Sequence, residues 1–139
     1  MKTQTDVMTG AELRVVREHL GLTTRWLAEH LRVQERTVHR WEADVSPIPD
    51  GVRCAVEDLE TRTAAVVTTA IEACLDAPDP KILTYRTDGD YQAHHPEQPW
   101  PASWHRAVVA RVAGEVPGLA IEWWRPGRVG HQSSPPTRG

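Results

Sequence analysis

The chain has 139 residues, of which 40% are hydrophobic and 25% charged, which is typical of a soluble globular protein with one ordinary domain or two small units. Its formal net charge of −3 argues against a general polyanion binder. Because no stretch has the length and apolar character of a membrane span or a signal peptide, we expect a cytoplasmic protein with no membrane partner.

The first part of the chain carries the signals of three short helices. Thr9 and Glu12 have the spacing of a capping box, which predicts that a helix begins there. Thr23 is a second N-cap residue, placed before another short amphipathic segment. Residues 32–34 are expected to form a turn into a third helix that ends near Glu42.

The third helix has two different faces on a helical wheel. The face expected to pack on the first two helices consists of Gln34, Thr37, Val38 and Trp41. The opposite face consists of Glu35, Arg36, His39 and Arg40. These four side chains can hydrogen-bond to base edges, and arginine is the usual bidentate partner of guanine. We therefore predict that this outward face contacts DNA bases.

The residues from Leu22 to Glu42 resemble the lambda-repressor-like (Cro/XRE-type) helix-turn-helix family. The matching features are Leu27-Ala28, Val33, Thr37-Val38 and Arg40-Trp41-Glu42. The resemblance covers about residues 9–60 and implies a transcriptional regulator, repressor-like, that binds double-stranded DNA as a homodimer on an inverted repeat. Two positions depart from the family pattern, because Arg32 replaces the usual turn glycine and Thr24 replaces a frequent glutamine.

Further roles follow for residues around this motif. Helix N-termini bind phosphate groups, so the residues there are expected to contact the DNA backbone. The expected backbone contacts are Thr23, Thr24, Arg25 and Gln34. The resemblance also implies that Arg17 and Glu42 form a structural ion pair.

A long helix is predicted over residues 51–77, after a proline-containing break at 46–50. Its apolar or small residues repeat with heptad spacing. This seam consists of Val52, Val56, Leu59, Thr63, Val66, Ala70 and Ala73. The seam would either pack on its own domain or form a dimer interface.

The segment 78–124 has the pattern of a small strand-helix-strand module. Its predicted elements are a strand at Ile82–Arg86, a turn at 87–90, a loop at 91–101, a helix at Ser103–Glu115 and a strand at Leu119–Trp124. A crossover of this kind makes the two strands parallel. Since two strands alone bury little surface, we expect either a third strand near Tyr91 or completion of the sheet by a second subunit.

Catalytic and metal-binding patterns are weak. The candidate ligands His94, His95 and His105, with Asp90 and Glu97 nearby, lack a recognised ligand spacing. Cys54 and Cys74 are expected to be reduced thiols, because they form no CxxC pattern. We therefore predict no metal, no cofactor and no enzymatic activity.

Together these patterns predict an α+β protein. The expected organisation is an arm at 1–8, a helix-turn-helix domain at 9–50, a linker or dimerisation helix at 51–77, an α/β module at 78–124 and a disordered tail at 125–139. The favoured function is a dimeric DNA-binding regulator. Two alternatives are an antitoxin-like adaptor whose C-terminal half binds a partner protein, and an enzyme with a helix-turn-helix appendage.

Overall fold

The computed structural model describes residues 7–127, so the predicted tail from residue 128 and most of the predicted arm lie outside them. The described residues form six helices and a two-stranded parallel sheet, and the expected mixture of helix and sheet is confirmed. The elements are α1 (Gly10–His19), α2 (Thr24–Leu31), α3 (Glu35–Glu42), α4 (Asp50–Asp76), β1 (Lys81–Thr84), α5 (Asp88–His94), α6 (Ala102–Ala113) and β2 (Ala120–Trp123). The chain divides after Thr68 into two compact units.

Local capping fixes where the first helices begin. The Thr9 hydroxyl accepts a hydrogen bond from the Glu12 N–H (3.0 Å), and the Glu12 carboxylate accepts one from the Thr9 N–H (2.9 Å). The Thr23 hydroxyl likewise accepts from the Trp26 N–H (3.0 Å). The core of this unit contains Leu13, Leu20, Leu22, Leu27, Val38 and Trp41. Capping and burial therefore position α2 and α3 within a single packed unit.

The predicted heptad seam of α4 holds only in its first half. Val52, Val56, Leu59 and Thr63 are buried within this one chain, but Val66 is 41% exposed and Val67 takes its place. The buried stripe continues through Val67 to Cys74. Its spacing is close to the 3.6 residues per turn of a straight helix, rather than the 3.5 residues per turn of a heptad repeat. The predicted seam is therefore wrong at Val66, and its first four residues already pack on their own chain.

The second unit pairs β1 with β2 in parallel, with Ile82 opposite Ile121 in register. Helix α6 packs on β1 and α5 packs on α6. Within residues 7–127 there is no third strand, and Tyr91 lies in α5, so that expected alternative is wrong.

The predicted turn at 87–90 and the first part of the predicted loop at 91–101 are also wrong. The Thr87 hydroxyl accepts a hydrogen bond from the Asp90 N–H (3.0 Å), which caps the start of α5. Acidic residues at Asp88 and Asp90 favour a helix start because they interact with its N-terminal dipole. A short helix therefore replaces the turn.

No helix between residues 7 and 127 is long and apolar enough to cross a membrane.

Candidate nucleic-acid interface

The turn between α2 and α3 determines where α3 lies. Arg32 adopts a left-handed conformation (φ 61°), and the Val33 N–H donates to the Ala28 carbonyl at 2.9 Å. Gln34 then takes the N-cap position of α3, but its side chain makes no capping hydrogen bond. Arg32 thus adopts the conformation that the more usual glycine reaches without strain.

One face of α3 is buried and the other is exposed. Val38 and Trp41 are buried, whereas Gln34, which the helical wheel placed with them, is exposed at the helix start. The exposed face consists of Glu35, Arg36, His39 and Arg40. The structure therefore brings the four predicted base-contact residues together on one accessible surface, which we call the α3 face.

The two arginines of the α3 face differ in how they are held. Arg40 Nε donates to the Ser46 hydroxyl at 3.3 Å, a long hydrogen bond on an exposed surface. The Arg36 side chain has no hydrogen bond or ion pair to any other residue between positions 7 and 127. Both guanidinium groups can therefore turn toward a ligand with little loss of existing contacts.

Glu35 is the most constrained member of the α3 face. Its Oε2 atom accepts a hydrogen bond from the Thr24 hydroxyl (2.7 Å) and lies 3.4 Å from His39 Nε2. The Thr24 hydrogen bond, with support from His39, lowers the pKa of the Glu35 carboxyl below its ordinary value. The carboxylate is therefore ionised and fixed relative to the start of α2.

The four predicted backbone-contact residues lie around the N-termini of α2 and α3. The Thr23 hydroxyl already accepts from a backbone N–H, although its own proton remains available. Arg25 lies 3.5 Å from Glu29 in an exposed pair, which is easily exchanged for another anion. Thr24 is the first residue of α2, and Gln34 is the N-cap residue of α3. Of the four, Thr24 alone is engaged in the Glu35 contact.

The end of α3 is held by a nearly buried ion pair between Arg17 and Glu42. Arg17 Nε and Nη2 donate to Glu42 Oε2 and Oε1 at 2.7 and 3.0 Å, and Arg17 Nη1 donates to the Leu22 carbonyl at 3.0 Å. The hydrogen bond to Glu42 raises the pKa of Arg17 further above its ordinary value. This pair connects α1 to the end of α3, and three of the five N–H groups of Arg17 are engaged in these hydrogen bonds.

Sequence reasoning missed two contacts that shape this surface. The Thr24–Glu35 hydrogen bond joins residues eleven positions apart, and no periodic pattern indicates it. Asp44 has a left-handed conformation (φ 60°), and its carboxylate accepts from the Gly10 N–H at 2.9 Å. An aspartate just after a helix end is a signal for such a conformation, since Asp tolerates it better than most residues.

The three candidate histidines of the second unit, His94, His95 and His105, lie in an aromatic cluster around Tyr85. Tyr85 Oη and His94 Nδ1 are 2.7 Å apart, and the Thr84 hydroxyl lies 2.8 Å from His105 Nδ1. Burial lowers the pKa of His105 to about 4. Within the described part of the chain, no group of three or more His, Cys, Asp or Glu side chains could hold a metal ion.

No protein-family model and no curated protein matches this chain.

Proposed function

We propose that this protein is a sequence-specific DNA-binding transcriptional regulator in which α2 and α3 act as a helix-turn-helix. The observation that carries the proposal is the α3 face, where four hydrogen-bonding side chains lie exposed on a helix whose opposite side is buried. In this proposal α3 enters the major groove and α2 lies across the DNA backbone.

The chemistry of the α3 face favours base contacts over general attraction to DNA. Arg36 and Arg40 are one helical turn apart, and each can donate two hydrogen bonds to guanine O6 and N7. The protein as a whole is acidic, so affinity for DNA of any sequence is expected to be low. Specific contacts must then supply a large share of the binding free energy.

Phosphate contacts would hold the helices in register. Thr23 can donate its hydroxyl proton, and the side chain of Gln34 makes no capping hydrogen bond. Both residues lie at helix N-termini, where backbone N–H groups also attract anions. Arg25 would exchange its exposed partner Glu29 for a phosphate. Thr24 contributes in this way only when its hydrogen bond to Glu35 is broken.

A homodimer is part of the proposal. One short recognition helix contacts few base pairs, whereas two related by a twofold axis would bind half-sites about 10–10.5 bp apart. Because most of the α4 seam is buried in its own chain, strand β2 is the better candidate for subunit contact. All four of its residues are exposed, including Ile121 (46%) and Trp123 (37%).

The same strand supports the second candidate function, an antitoxin-like adaptor. An exposed strand with unpaired backbone groups can accept a further strand from another protein, and apolar side chains at alternate positions add affinity. Ile121 and Trp123 alternate in this way. Recovery of a stoichiometric protein partner with the purified chain, lost in an Ile121→Lys variant, would favour this function over a regulator that acts as a homodimer.

The test of the main proposal is selection of binding sites from random duplex DNA by the full chain, followed by titration of variants on the selected site. Arg36→Ala and Arg40→Ala should each lose about 1–3 kcal/mol of specific binding free energy. Arg14→Ala is the matched control, because Arg14 is an exposed arginine on α1 paired with Glu18. Failure to enrich any sequence, or equal affinity of all three variants, would contradict the proposal.

A further inference from the structure

The Glu35 carboxylate has one engaged oxygen and one free oxygen. Both the Thr24 hydroxyl at 2.7 Å and His39 Nε2 at 3.4 Å approach the same atom, Oε2. Between residues 7 and 127, Oε1 accepts no hydrogen bond. Since two neighbours on different helices hold Oε2, the free oxygen has a restricted position on the α3 face.

This arrangement changes what Thr24 can do. A threonine hydroxyl has a single proton to donate, and here Glu35 accepts it. Thr24 therefore positions Glu35 and does not donate to a phosphate while this bond stands. The negative charge of Glu35 also repels phosphate groups, so its presence at the DNA interface lowers affinity for DNA of arbitrary sequence.

The free oxygen can only accept hydrogen bonds. In the major groove, amino donors are found on cytosine (N4) and adenine (N6), whereas guanine offers N7 and O6 and thymine offers O4, all acceptors. A carboxylate that faces guanine or thymine would be repelled, because these acceptor atoms also carry partial negative charge. Adenine also places its N7 acceptor beside the N6 amino group, so cytosine is the better partner.

We propose that Glu35, positioned by Thr24 and His39, selects cytosine at one base pair of each half-site and rejects guanine and thymine there. This inference rests on the proposed function and adds to it the identity of one base and the residue that recognises it. Glu35 is thus a determinant of specificity that lowers total affinity, in contrast to Arg36, which raises it.

The test compares base preferences selected by the wild-type chain and by three variants of the full chain. Glu35→Gln keeps the shape but removes the charge, and its amide can also donate to guanine or thymine. We expect the preference for cytosine over guanine at one position to fall about tenfold, with the arginine-dependent positions unchanged. Affinity for non-selected DNA should rise several-fold.

Two further variants separate positioning from charge. Thr24→Val keeps the Glu35 carboxylate but removes the hydroxyl that holds it, so the cytosine preference should weaken without disappearing. Glu57→Gln removes a comparable exposed carboxylate from α4, where it pairs with Arg53, and should leave all base preferences unchanged. Thermal melts establish that each variant is folded.

The outcomes distinguish this inference from the proposed function. A wild-type chain that enriches no sequence would overturn both. A wild-type chain that enriches a motif, with the same cytosine preference retained by Glu35→Gln, would overturn the inference and leave the function standing. Loss of a preference for guanine or thymine in Glu35→Gln would also refute it.

Discussion

Replacement of Arg17 by alanine should strongly destabilise the first unit. The side chains of Arg17 and Glu42 are only 11% and 9% exposed, and the guanidinium donates twice to the carboxylate and once to the Leu22 carbonyl. Removing it leaves a nearly buried carboxylate unpaired, which costs about 3–5 kcal/mol in comparable sites. This loss is a large part of the stability of an ordinary domain.

The assay is urea denaturation of the full chain followed by circular dichroism, because the secondary-structure elements of the first unit between residues 7 and 68 are all helices. Arg14→Ala is the control, since Arg14 and Glu18 form an exposed pair (65% and 54%) that contributes less than about 1 kcal/mol. The double variant Arg17→Met/Glu42→Leu should recover most of the lost stability, because neither charge is then buried alone. Equal destabilisation by Arg17→Ala and Arg14→Ala would refute the reasoning.

Three further predictions concern backbone conformation and pH. Gly10→Ala should lower the free energy of unfolding by about 1–3 kcal/mol, because the new Cβ would lie 2.5 Å from the Glu42 carbonyl oxygen. Gly51→Ala is the control: Gly51 has open space around it, so this variant should be neutral or stabilising in the same thermal melts. Arg32→Gly should stabilise the protein by about 1 kcal/mol in urea titrations, because glycine adopts the left-handed backbone conformation of position 32 without strain. A loss of stability would contradict this. The pKa of His105 is lowered to about 4, so the unfolded chain takes up a proton below about pH 6.5 that the folded chain does not. Stability should therefore fall from pH 6.5 to 4, by about 2 kcal/mol after allowance for partial exposure, and His105→Gln should flatten this dependence.

The sequence predicted the helices whose starts carry strong local signals. Thr9 and Thr23 cap α1 and α2 through hydrogen bonds to residues three positions ahead, a pattern that can be identified without tertiary structure. Thr87 and Asp90 have the same spacing, but the segment 87–90 is predicted from the sequence as a turn, and Asp88-Gly89 within it is a pair also frequent in turns. Local sequence was thus sufficient only where no competing signal was present.

The site was predicted less completely than the helices. The periodicity of α3 indicated which residues face outward, because it depends only on helix geometry. The contact of Glu35 with Thr24 depends on how α2 and α3 pack, so it could not be predicted from the periodicity of either helix. The buried face of α4 was also predicted incompletely. Stripes with 3.5 and with 3.6 residues per turn contain the same residues up to Thr63 and differ only after it.

The parallel pairing of β1 with β2 has a consequence for the order of folding. Residues 85–122 must form a closed loop before Thr84 and Trp123 can pair, and closing a flexible loop of that length costs on the order of 3 kcal/mol in entropy. Helices α2 and α3 make contacts closer in sequence, such as that of Thr24 with Glu35, and such contacts form faster. We therefore expect the unit ending at Thr68 to fold first, both in refolding from urea and during synthesis, while the strand that carries Trp123 joins its partner in a later and slower phase.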